Sequence, residues 1–431
     1  MSMDNSLRQQ DKYYWLKCVI VAALFAAVIL LIHKPMDIIS DDAVHVDSGI
    51  KISGLFEFMR ARVYGVGRFL TDAAGYIGLC MPFRIWKCID TLVYVAILLV
   101  IWDLFTDRTV GMLAVTAAGI CLFPITRYLS SAGYVMTTAN YIYPLLALLI
   151  GFAPVIRVIQ GRRVLVIHHA AAVLGIIFAS NQDQSAVIAI GGFLLIAVAS
   201  PLLVSKEDRK RVLRITIIYL AVAVISYAFM FLTPGHMSRM GDTTEMERWL
   251  PQYADWGFGT KVCEGLATTF ANIFFQRPTL FMWFCYLILF TVFIENRSKA
   301  IIPGLLLTVV LACSALDYSW FIRFYDYTLG LPDLVPLSEN PLPFIISMVI
   351  FILMILSVLS LYKTNRKLCI TLVILNILGF GSRFMMGFSA TLFASSYRTF
   401  TFQLFCFLIC DVVMINRILK QSAVNQIDLQ C

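Results

Sequence analysis

Apolar residues run along this chain in blocks separated by short polar punctuation. A helix needs about 20 such residues to cross a bilayer core. Blocks of this kind predict about twelve membrane helices. Their approximate limits are 13–33, 86–105, 109–126, 139–157, 164–180, 186–204, 214–232, 279–294, 301–317, 342–362, 368–386 and 398–416. Helices satisfy their own backbone groups inside lipid. The short alternating segments of a membrane β-barrel are missing from the pattern. The expected fold is therefore all-α and polytopic, a single integral membrane domain over 1–431. The block at 13–33 is too long for the apolar core of a signal peptide, and Ile32-His33-Lys34-Pro35 is a poor cleavage site.

The polar punctuation is asymmetric. Arg8, Lys12 and Lys17 lie at the start of the chain, before and just inside the first block. Alternate connections from there, 103–108, 157–163, 205–214, 295–299 and 363–367, are short and basic, and include RVIQGRR and SKEDRKRVLR. Short basic connections mark the cytoplasmic side. Both termini are thus expected in the cytoplasm, with Arg417 and Lys420 beside the second. The long connections, 34–85, 233–278 and 318–341, fall on the outward side, where long ordered loops point to function. Within the first of them, Ser53–Met59 has the spacing of an amphipathic surface helix.

Composition agrees with this picture. Of 431 residues, 60% are apolar and 14% charged, too few charges to cover a soluble surface. The net charge of +8 is accounted for by the inward loops and does not point to nucleic acid. No cysteine spacing suggests zinc. Cys80 and Cys263 fall in expected outward loops, where a bridge could form.

The residues that could carry chemistry gather on the outward side. Asp41-Asp42 follows the first block in ISDDAVHVDSG, with His45 close behind. An aspartate there could take a proton from a hydroxyl or help hold a divalent metal. It could equally cap the following helix. GVGR supplies Arg68 and two glycines, and Arg60 and Arg62 precede it. Asn140 and Tyr141 open the fourth block, and amides and aromatics often hold sugars. SNQDQSA places Asn181, Gln182, Asp183 and Gln184 in one turn. Pro234-Gly235 breaks the chain before His236 and Arg239. Arg383 and Arg398 flank the last outward turn, and charges at such a mouth are costly unless paired, wet or functional. The tract containing Arg323 and Asp326 could cover a substrate. His33, His168 and His169 have no evident partners.

Asp41-Asp42, Asn140-Tyr141-Ile142-Tyr143-Pro144, Pro234-Gly235-His236 with Arg239, and the late Arg398 together resemble the GT-C superfamily of membrane glycosyltransferases, in particular a bacterial branch with a double aspartate after the first span. His236 stands where that branch usually has Asn, and Tyr134 where Trp is common. The resemblance implies sugar transfer from a polyprenyl-phosphate donor to an envelope glycan or glycolipid, at the outer face of a bacterial inner membrane. It implies Asp41 or Asp42 as general base and Arg68, Arg239 and Arg398 as partners of the phosphate, with a divalent metal an option. Two other readings fit a twelve-span chain: a secondary transporter or lipid flippase, for which Asp411 and Asn376 are the intramembrane polar groups, and an O-antigen-type polymerase or ligase.

Overall fold

The computed structural model describes residues 13–240, 243–315 and 342–428. Every regular element among them is helical. Eight helices are long and apolar enough to cross a membrane, or up to ten if two bent pairs each count as one span. The protein is a polytopic helical membrane protein. Among the described residues, helices occupy all twelve expected blocks, and up to ten of them meet the test of length and composition. The helices Val166–Ala179 and, as far as it is described, Ile301–Ala315 are too short for the test, and two other blocks pass it only as parts of bent pairs, Val110–Cys121 with Ile125–Ala132 and Phe258–Phe275 with Thr279–Glu295. The expected outward loop 318–341, with Arg323 and Asp326, lies outside the described residues.

The first connection is mostly helical. After α1 (Tyr14–His33) come α2 (Ser40–Asp47), α3 (Leu55–Gly65) and α4 (Phe69–Leu79), and then the long α5 (Phe83–Phe105). The expected amphipathic helix is α3, which starts at Leu55 after a 3-10 turn and runs on to Gly65. It has no buried residue, and Phe56 and Tyr64 stand exposed. The bent pair α6 (Val110–Cys121) and α7 (Ile125–Leu129) leads into α8 (Tyr134–Ile159), the most buried of the first eight helices along its length. Helices α9 (Val166–Ala179), α10 (Asp183–Leu203) and α11 (Lys206–Phe231) pack around α8 and one another.

Pro234-Gly235 then breaks the chain, as its sequence predicts. The short α12 (Pro234–Met240) and α13 (Thr243–Trp249) follow, then α14 (Phe258–Phe270), a π-helical turn and α15 (Thr279–Glu295). Helices α16 (Ile301–Ala315), α17 (Leu342–Leu359), α18 (Arg366–Phe384) and α19 (Thr401–Asp428) complete the bundle. Phe270, Phe274, Phe281, Phe380 and Phe407 form a continuous ring-to-ring core between α14, α15, α18 and α19. Cys80 and Cys263 are free thiols.

One buried polar contact fastens the start of the first connection. His33, at the end of α1, sets Nε2 3.0 Å from Asp90 Oδ2 on α5 and Nδ1 3.2 Å from Thr91 Oγ1. The Thr91 hydroxyl donates to Lys87 O at 2.8 Å. Its oxygen is therefore left to accept, which makes His33 Nδ1 the donor in that contact. Lys87 Nζ adds bonds to the carbonyls of Lys34 (3.3 Å) and Met36 (2.7 Å). Both side chains of the His33–Asp90 pair are buried. Such a pair is expected to specify geometry rather than to add much net stability.

Candidate active site at the Asp41 face

The adjacent aspartates have separate tasks. Asp42 is fully buried, and its carboxylate sits on the N-terminus of α8. Oδ2 accepts from the Val135 N–H at 2.8 Å and Oδ1 from the Met136 N–H at 3.1 Å. The first turn of a helix leaves N–H groups without partners and carries a partial positive charge, so a carboxylate there is stabilising. Gly133 makes the approach feasible: a Cβ on it would lie 2.3 Å from Asp42 Cγ, and its φ of 87° suits glycine. Burial nonetheless dominates and pushes the Asp42 carboxyl up to about 6, with the Asp41 charge adding to the rise and the Val135, Met136 and Tyr134 amides opposing it. Asp42 thus caps a helix far along the chain instead of its own. The general-base expectation narrows to Asp41, which is exposed. The residue before it, Ser40, has φ 52°, an uncommon conformation for a residue other than glycine.

His45 lies one turn beyond Asp41 on α2, edge-on to Phe58 with ring centroids 5.9 Å apart. Its charged neighbours are Arg62, Asp41 and Asp72. Partial burial, with help from Arg62, lowers its pKa, while Asp41 and Asp72 oppose the shift. His45 therefore faces the site mostly as a neutral imidazole.

Asp72 is a residue the sequence reading missed. It is buried on α4, and Arg62 grips its Oδ2 through Nη2 and through Nε at 2.5 Å. Asn140 Nδ2 donates to Asp72 Oδ1 at 3.0 Å and to Met136 O at 2.9 Å, while Asn140 Oδ1 accepts from the Thr71 hydroxyl at 3.0 Å. Asn181 Oδ1 accepts from the backbone N–H groups of Leu70 (2.7 Å) and Thr71 (3.3 Å), capping α4 from the turn between α9 and α10. A signal for Asp72 was present: it is the one carboxylate in the otherwise apolar stretch between Arg68 and Arg84.

The network continues to a basic corner. Asp183 Oδ1 stands 4.0 Å from His236 Nε2 and 3.4 Å from the Tyr227 hydroxyl. Arg68 and Arg239 are the positive neighbours of His236. Desolvation holds the His236 pKa below its ordinary value, the two arginines add to that, and Asp183 opposes it. The corner exists because two loops meet backbone to backbone. A Cβ on Gly67 would lie 2.7 Å from Thr233 Oγ1, and one on Gly235 would lie 2.5 Å from Val66 N. Gly67 and Gly235 let the two loops approach each other this closely.

Asp41, Asp42, His45, Arg68, Asn140, Asp183, His236 and Arg239 thus belong to one connected face. Arg398 joins at its edge, with Nη1 3.5 Å from Ser131 Oγ, in the turn that precedes the Asp42-capped helix start. Three expected substrate contacts are used otherwise. Tyr141 is buried and packs toward Phe402 at 6.0 Å. Gln182 is buried and caps α10, its Oε1 accepting from the Ser185 N–H at 2.8 Å. Arg383 is fully buried, with its guanidinium over the Phe400 ring at 4.5 Å. Asn140, too, is spent on the network. Gln184, not singled out for a role of its own, ties α10 to the carbonyls of Ser382 (2.8 Å) and Thr399 (3.0 Å). Among the described residues, no three His, Cys, Asp or Glu side chains gather as a metal-ligand set. The chain matches no protein-family model, no curated protein and no solved structure.

Proposed function

We propose that the protein is a glycosyltransferase that moves a sugar from a polyprenyl-phosphate donor to a cell-envelope glycan or glycolipid, working at the outer face of a bacterial inner membrane with both termini in the cytoplasm. The observation that carries this reading is the division of labour between the two aspartates. Asp42 is consumed by the α8 cap, which leaves Asp41 exposed, anchored from the next residue and beside His45. In the proposed reaction the Asp41 carboxylate takes the proton of the acceptor hydroxyl. The acceptor oxygen attacks the anomeric carbon, and the bond from that carbon to the phosphate oxygen breaks. The lipid phosphate leaves with the electron pair. Arg68, Arg239 and Arg398 are the groups proposed to meet its charge, since a guanidinium fork suits phosphate oxygens. A divalent metal is compatible with the same roles.

The test is transfer of radiolabelled sugar from a polyprenyl-phosphate donor in proteoliposomes. Asp41→Asn, correctly inserted, is expected to lower the rate by about 10²–10⁴-fold, the range for loss of a general base. Full activity in that variant would refute the assignment.

A specific feature favours a second reading, transport. Asp411 on α19 is buried, and its carboxylate oxygens accept no hydrogen bond among the described residues; nor does Asn376 Oδ1 on the facing α18. Intramembrane polar groups of this kind mark transport pathways. Substrate uptake that survives Asp41→Asn and fails in Asp411→Asn would select it.

A further inference from the structure

The opposite end of the bundle holds a cluster that the proposed reaction does not use. Asp103, at the end of α5, is gripped by three arginines from two connections: Arg108 after α5, Arg157 in the last turn of α8 and Arg162 just beyond it. Arg108 Nε lies 3.1 Å from Oδ1, Arg157 Nη2 2.6 Å from Oδ2, and Arg162 Nη2 2.5 Å from Oδ1. Arg162 Nη1 adds bonds to Asp103 O at 2.7 Å and to Gln160 Oε1 at 2.8 Å. All four ionic side chains are mostly buried, with 21–23% of each exposed. Arg108 is held with φ 59°, its carbonyl accepting from the Tyr14 hydroxyl at 2.5 Å.

The charge does not balance. Guanidinium groups stay protonated at any physiological pH, so three against one carboxylate leave two positive charges in excess. Basic loops at this end are expected on topological grounds, but topology alone leaves such side chains spread in solvent. Here they converge and are held in fixed orientations. Each guanidinium has five donors in a planar fork, and Asp103 engages only part of them. Close by, the chain turns apolar and outward. Val166 is 84% exposed and Ile167 67% exposed at the start of α9. His168, next in line, counts Arg157 and Asp103 among its charged neighbours. Its Nδ1 accepts from the Leu165 N–H at 3.0 Å, which leaves an Nε2–H donor. Fixed cationic forks beside an exposed apolar helix start offer the two halves of a lipid site: one for a phosphate, one for acyl chains.

We infer that the Asp103–Arg108–Arg157–Arg162 cluster is a binding site for an anionic phospholipid, with the phosphodiester on the free guanidinium edges and the acyl chains along Val166 and Ile167. Asp103 orients the arginines and lowers their combined charge from three to two, of which one phosphodiester offsets one. This site is independent of the sugar-transfer reading.

Full-length protein in nanodiscs of phosphatidylcholine and phosphatidylglycerol, released into native mass spectrometry, reports which lipid is retained. Wild type is expected to retain phosphatidylglycerol about tenfold over phosphatidylcholine, equivalent to one charge-assisted hydrogen bond. The Arg108→Gln, Arg162→Gln double variant should fall to near parity. Asp103→Asn, which raises the excess charge, should retain at least as much phosphatidylglycerol as wild type. Equal retention of the two lipids by wild type, or an unchanged preference in the arginine double variant, would overturn the proposal. The wild-type ratio decides alone if the variants fail to insert.

Discussion

A buried carboxylate on a helix N-terminus feels two opposed forces, and at Asp42 desolvation is the larger. Its folded-state value of about 6 lies above the ordinary 3.8. Between those values the folded chain keeps a proton that the unfolded chain releases. Stability tied to this group is therefore full below the window and is lost as pH rises through it. The melting temperature of wild type, taken relative to Asp42→Asn, is expected to decline from the lower edge of that window to the upper and then level off. A thermal-melt series in detergent across that range checks it, and a difference independent of pH would contradict the burial argument. The sequence displays the aspartate pair but not which member the fold consumes, because the donors to Asp42 lie 93 and 94 positions away. Asn140 and Tyr141 make the same point. They are adjacent in sequence but about 100° apart around a helix, so one meets Asp72 while the other meets Phe402.

Among elements, the contact that shapes the basic corner is the meeting of the α3–α4 turn with the start of α12. Gly235→Ala would place a methyl group 2.5 Å from Val66 N, where backbone has no easy retreat. Overpacking of this kind costs about 1–3 kcal/mol. The variant is expected to melt lower and to lose transfer activity as Arg239 and His236 shift from Arg68. Gly259→Ala, where a Cβ would meet nothing within 4 Å, is the matched control and should leave both unchanged. The Pro234-Gly235 break was legible because those two residues punctuate a helix by themselves. Of the helical content of 34–85, only the start of α3 was. Helices α2, α3 and α4 are 8–11 residues long and owe their form to tertiary caps and packing more than to a long local pattern. Asn181, which caps α4 from 111 residues away, illustrates the cause.

At the scale of the whole molecule, the blocks of apolar residues were sufficient to give the class of fold, since lipid leaves so few alternatives. Hydropathy does not register a bend, and two of the expected blocks fall in helix pairs broken by 50° and 75°. The orientation proposed above rests on the distribution of arginine and lysine, and it has a direct test. In a background with Cys80, Cys88, Cys263 and Cys431 changed to serine, Asp47→Cys on the exposed end of α2 should react with a membrane-impermeant maleimide in intact cells. Ser205→Cys, exposed before α11, should react only after permeabilisation. The reverse pattern would place Asp41 in the cytoplasm, and the outer-face reaction would fall with it.

The long reach of the Asp42 cap also bears on how the chain is made. Synthesis runs from the N-terminus, so α1 and the Asp41 segment emerge well before the amides of Val135 and Met136 exist. Until α8 has formed its first turn, Asp42 has nothing to hold, and the first connection waits unfastened while two more hydrophobic helices are inserted. The acid at position 41 takes up its final setting only after about a third of the protein has left the ribosome, so an incompletely synthesised chain carries both aspartates but no assembled site.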